Sequence, residues 1–165
     1  MENAPGRNCR LYETRFSFGA TAAIITNLSL IVGLRTSGHA KLSIIGAMLV
    51  IALADNIADS AGIHIYQESE CVETKEIWLC TFTNFLTRVL ISLTFISLVF
   101  FLSISAAVIS SIIWGLLLLA AMSYFIARDK KINPYLAILE HLGIATIVII
   151  GSNFVGKLVI SKLRF

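Results

Sequence analysis

Residues 47–66 read AMLVIALADNIADSAGIHIY, and the fold turns on how that run is understood. As a helix it covers about 30 Å at ~1.5 Å per residue, the thickness of a bilayer's hydrocarbon core. Yet Asp55 and Asp59 stand near its middle. A charged aspartate at that depth costs about 2.5–3.5 kcal/mol on insertion scales, so it normally faces a polar cavity or a partner. At ~100° per residue, Met48, Ala52, Asp55, Asp59, Gly62 and Tyr66 fall on one stripe, with Asn56, Ser60 and Gln67 on the adjoining one. The pattern predicts a membrane helix with one wet, acidic face that accepts cations.

The rest of the composition agrees. Of 165 residues, 57% are hydrophobic and 14% charged, with a mean hydropathy of +0.85. Soluble domains are nearer about 45–50% and 25%. An all-α, integral membrane protein of one domain follows, with the lipid bilayer as its solvent. Net charge is only +3. The basic residues sit between apolar runs rather than on a stripe, which argues against a nucleic-acid partner. There is no nucleophile elbow, no Gly-rich phosphate loop and no convincing His–carboxylate metal pair at i, i+4, so no enzyme is expected. Cys9, Cys71 and Cys80 show no paired spacing and read as reduced thiols. The first sixteen residues, MENAPGRNCRLYETRF, lack the apolar core of a signal peptide. Insertion is therefore expected to rely on the first membrane helix.

Five membrane helices are expected, over 16–34, 42–66, 77–104, 106–126 and 134–160, after a cytoplasmic segment 1–15. In the first, Thr26 and Asn27 lie mid-membrane. Asn27 serves either an interhelical hydrogen bond or a passing cation. In the third, Arg88 lies eleven residues in from Ile77, and Asp55 lies eleven back from Tyr66. The two are thus at similar depth and form a plausible buried ion pair. Asp59 has no such obvious partner, which makes it the stronger ligand candidate. Gln67 to Glu76 holds Glu68, Glu70, Glu73 and Glu76 against Lys75. This is either a solvated acidic loop or a vestibule through which metal enters from the cytoplasm. In the fifth span, Ser152 and Gly156 form a small-xxx-small pair, and Gly143 and Gly151 add points of close approach. Glu140 and His141, near its start, are pathway or interface groups. Seven Lys and Arg residues flank one side and four the other. The positive-inside rule then puts the N-terminus in the cytoplasm, in the inner (plasma) membrane if the source is prokaryotic.

With the spans placed, the chain resembles the vacuolar iron transporter family of Fe(II)/Mn(II) carriers. The likeness rests on FGATAAIITNLSLIVGL in span one, GAMLVIALADNIADSAGIHIYQES in span two and LEHLGIATIVIIGSNFVGKLV in span five. It implies a five-helix protomer, a two-fold homodimer, and a metal path between protomers lined by spans one and two. It also implies export of cytosolic iron or manganese in exchange for protons, with no permanently bound cofactor. Against the family pattern, Asp59 stands near a family methionine and Gly62 keeps a glycine. Ile63 replaces a glutamate, His64 replaces a tyrosine, and Thr26–Asn27 stand where span one usually carries an aspartate. The larger cytoplasmic metal-binding domain is absent. The metal ligands this implies are Asp55, Asp59, Asn27, Thr26 and Met48. Arg88, Asn56, His64, Tyr66 and Glu140 stand behind them as supporting groups or charge partners. Oxygen donors of this kind suit Mn(II) or Mg(II) better than a sulfur-lined site would, and iron remains compatible. A non-transporting membrane scaffold and a cation or proton channel are the alternatives.

Overall fold

The structure, a computed structural model, describes the backbone of residues 5–162 and the side chains of residues 19–162. The described chain is all-α: α1 (Pro5–Leu34), α2 (Ala40–Ser69), α3 (Thr74–Phe101), α4 (Ile104–Asp129) and α5 (Pro134–Lys162). Helices α2 to α5 are each long and apolar enough to cross a membrane, and the described part of α1, Gly19–Leu34, is a shorter apolar run. The outward faces carry Leu53, Phe82, Leu90, Ile113 and Phe154, all exposed. Such surfaces are aggregation-prone in water and ordinary in lipid. The architecture is that of a multi-pass membrane protein.

Two boundaries differ from the expected spans. Helix α1 starts at Pro5 rather than Phe16. The readings placed on the side chains of Arg7, Cys9, Arg10 and Arg15 lie outside the described residues. Helix α3 stops at Phe101, where the expected span ran on to Ile104; Leu102 and Ser103 are extended, with ψ 161° and 152°. Neither glycine nor proline marks this corner, so the apolar run hides it. Lys41 Nζ donates to the Leu102 carbonyl at 3.2 Å, which ties the corner to the start of α2.

The two turns at the opposite end are built alike. Cys71 and Lys131 each adopt φ 55° just beyond α2 and α4. Their N–H groups donate to Glu68 and Arg128, and the next residues, Val72 and Ile132, donate back to Gln67 and Ala127. These are Schellman closures, in which a left-handed residue lets the last carbonyls of a helix find donors.

Helix α1 is the hub. It packs against all four others, while α2, α3, α4 and α5 follow one another around it in chain order. Its inward face, Ala20, Ala23, Ile24, Asn27, Leu28 and Ile31, is buried. The buried face of α4 repeats every fourth residue as Ala107, Ser111, Gly115, Leu119, Ser123 and Ala127. That ridge of mainly small side chains brings the helices close, with Leu28 of α1 seated over Gly115.

The outer helices α2 and α5 are attached differently. On α5, a Cβ at Gly156 would overlap the Gly33 carbonyl of α1, and Ser152 lies beside Gly33 as well. The small-xxx-small pair therefore marks a real crossing. Gly143 and Gly151 do not: no neighbour lies within 4 Å of where their Cβ atoms would be. Both sit on the exposed face of α5, a position that spacing alone did not separate from the packed one.

Candidate functional site

The polar residues of α2 and α3 meet at the midpoints of both helices. Arg88 is fourteen residues from the start of α3 and thirteen from its end, and Asp55 is equally central in α2. At ~1.5 Å per residue this places them about 20 Å from either helix end, near the centre of any bilayer the pair crosses. On α3 the buried polar groups Cys80, Asn84, Arg88 and Ser92 recur every four residues, so one stripe faces inward. On α2 the matching buried groups are Asn56 and Ser60.

Arg88 is held by three acceptors. Its Nη2 donates to Asp55 Oδ2 at 2.6 Å, its Nη1 to Asp59 Oδ2 at 2.9 Å, and its Nε to Asn56 Oδ1 at 2.8 Å. The planar guanidinium makes this possible, since its donors fan out in a fixed fork. The i, i+4 spacing of the aspartates stacks them on one face of α2, within reach of both ends of the fork. Asn84 Nδ2 adds bonds to Ser60 Oγ at 3.1 Å and to Asp59 Oδ2 at 3.5 Å. The two Arg88–carboxylate bonds are charge-assisted and therefore the strong ones, and they matter most where water is scarce.

The expected Arg88–Asp55 pair is therefore made, but the expectation that Asp59 stands alone is corrected. One arginine serves both carboxylates, because its two terminal nitrogens span one helical turn. Two aspartates against one arginine leave an excess charge of −1. Each aspartate uses only Oδ2 in these bonds, and Oδ1 of each receives no donor among the described residues. The side chain of Arg88 is 3% exposed, that of Asp59 29% and that of Asp55 49%. The cation is thus sealed between helices while the carboxylates keep an open side. That side is a shallow depression lined by Asp55, Ala58, Asp59, Gly62, Ile63 and Tyr66, which faces away from the bundle.

The other proposed ligands lie elsewhere. Met48 is fully buried in the apolar core with Ile44, Phe95 and Val99, because the inward face of α2 runs through Met48 and Asn56 rather than along the aspartates. Asn27 of α1 donates through Nδ2 to Ala23 O at 2.7 Å and to Ser92 Oγ at 3.0 Å. That is an interhelical bond one turn along α3 from Arg88, and its buried Oδ1 has no donor among the described residues. Thr26 is half-buried on the same helix. Glu140 is exposed on α5, which packs on α1 and α4, away from the carboxylates. Glu68, Glu70 and Glu73 are exposed around the α2–α3 turn.

His64 belongs to a second cluster near that turn. Thr81 gives its hydroxyl proton to the Ile77 carbonyl at 2.8 Å, so His64 Nδ1 is the donor in its 3.0 Å bond to Thr81 Oγ1. The other nitrogen, Nε2, lies 3.6 Å from Glu68 Oε1. Trp78 meets the imidazole edge-on, with ring centroids 4.7 Å apart. His64 and Glu68 are thus neighbours at i, i+4 on α2. No third ligand joins them: among the described residues no three His, Cys, Asp or Glu side chains come together.

Sequence reasoning gave no site role to Asn84 or Gly19, and placed Ser60 only beside the acidic stripe. The fourfold recurrence of Cys80, Asn84, Arg88 and Ser92 in an otherwise apolar span is the signal that finds Asn84. Compared with family models, with curated proteins and with solved structures, the chain matches none.

Proposed function

We propose that this chain is one protomer of a two-fold divalent-cation transporter with five membrane spans. It would export iron or manganese from the cytosol in exchange for protons, as the resemblance to vacuolar iron transporters implies. The observation that carries the reading is the pair of open carboxylate oxygens at mid-helix, on a face that points away from the bundle. A half-exposed carboxylate facing lipid there is costly, so that face is covered. A second copy supplies the cover: it brings two more open oxygens, and the two residual charges of −1 sum to the charge that one divalent cation neutralises. Oxygen donors favour manganese or ferrous iron. Without the cation, like charges on the axis repel, so protons compete for the same oxygens. That competition is a physical route to exchange. In this reading the N-terminus and the 70–73 turn face the cytosol, and the acidic turn is a collecting surface rather than a site.

The full engagement of Arg88 supports one rival, a scaffold in which the aspartates only hold α2 to α3. Proteoliposomes separate the two. Mn(II) flux, read with an internal pH dye, should fall at least about tenfold in Asp59→Asn and in Asp55→Asn, while each variant keeps its oligomer. Undiminished flux in both variants removes the carboxylates from transport and leaves the scaffold.

A further inference from the structure

Asp59 and Asp55 are not equivalent, and the difference traces to Asn84 and to a glycine on α1. Asn84 is 1% exposed. Its Nδ2 reaches Ser60 and Asp59, while its Oδ1 is buried with no hydrogen-bond donor among the described residues. That oxygen lies against Gly19: a Cβ built on Gly19 would overlap Asn84 Oδ1, and would also lie 3.0 Å from Asn84 Cγ and 3.5 Å from Arg88 Cγ. The hydrogen that occupies this position in glycine points at Oδ1, a Cα–H···O contact that substitutes weakly for the missing donor. Any larger residue at 19 displaces the amide.

We propose that Asn84, seated on Gly19, is a positioning residue for the cation site. It turns Asp59 so that Oδ2 is bound and Oδ1 faces the depression. With the amide in place, Arg88 and Asn84 both hold one oxygen of Asp59, at 2.9 and 3.5 Å, which fixes the plane of the carboxylate and leaves its other oxygen free. Asp55 receives Arg88 alone among the described residues, so its plane is held by one donor instead of two. Helix α1 thus sets the geometry of two carboxylates to which none of its described side chains donates a hydrogen bond. The proposal rests on the transporter reading for its function, but its structural half stands apart from it.

Two measurements test the two halves. The first is a double-mutant cycle in purified protein, read as thermal stability. Gly19→Ala should lower the midpoint clearly in the native background and by far less in an Asn84→Ala background, where the overlapping atoms are gone. Equal effects in both backgrounds overturn the seat. The second is Mn(II) affinity, from the concentration dependence of flux in proteoliposomes. Asn84→Ala should weaken half-saturation about 10- to 100-fold, the usual effect of losing a group that orients a ligand, with a smaller change in maximal rate. A fall in maximal rate alone overturns the positioning role. If the native protein moves no Mn(II), the transporter reading and the positioning role fall together, while the stability cycle still decides the seat.

Discussion

Helices α2 and α5 are both outer helices leaning on α1, yet they are held by opposite means. Helix α5 buries only Ala145 fully among its described residues and docks through backbone, Gly156 against Gly33. Helix α2 buries Ile44 and Met48 in the core and Asn56, Ser60 and Gln67 beyond them, and adds charge, two aspartates on one arginine of α3. In lipid no hydrophobic force drives apolar helices together, so close packing and polar bonds must do it. A structural contact needs only the first. In the transporter reading proposed above, the charge on α2, more negative than its partner neutralises, makes α2 the working face.

Breaking the charged side should cost most. Arg88→Leu leaves two carboxylates without their cation and should destabilise the fold by about 3–5 kcal/mol. The readout is loss of monodisperse protein in mild detergent, with Arg88→Lys intermediate because one ammonium cannot reach all three acceptors. A native-like melting profile for Arg88→Leu would mean that the ion cluster does not hold α2. Breaking the packed side should cost less. Gly156→Val drives a branched side chain into the Gly33 carbonyl, for about 1–3 kcal/mol, with α5 loosened first. Protease sensitivity at residues 130–133 reports that loosening, and an unchanged cleavage rate would contradict the crossing. The smallest change sharpens the contrast: Gly151→Ala meets open space and should be neutral or stabilising by up to about 1 kcal/mol, as helix propensity dictates. A loss as large as that of Gly156→Val would show that α5 packs through a different face.

Much of the site is legible in the residue order. Depth along a helix follows from counting, so the match of Asp55 with Arg88 is predictable to within a turn. Lateral neighbours do not follow from counting. Met48 shares a helical stripe with the aspartates at 100° per residue, yet Met48 faces the core and Asp55 the outside, because the covered face of α2 shifts from Ile44 and Met48 near its start to Asn56, Ser60 and Gln67 further on. The expected solitude of Asp59 failed for a related reason, since a guanidinium reaches two acceptors one turn apart.

The sequence alone determined an apolar, helical, membrane-type chain with carboxylates at mid-span and a small-residue crossing in its last helix. Periodicity and length suffice for those. Only the tertiary structure decided which glycines touch a neighbour, that one arginine gathers both aspartates, and that Gly19 of α1 seats Asn84. Each depends on which helix stands opposite and at what rotation, and the 3.6-residue repeat of a single helix carries no information about that.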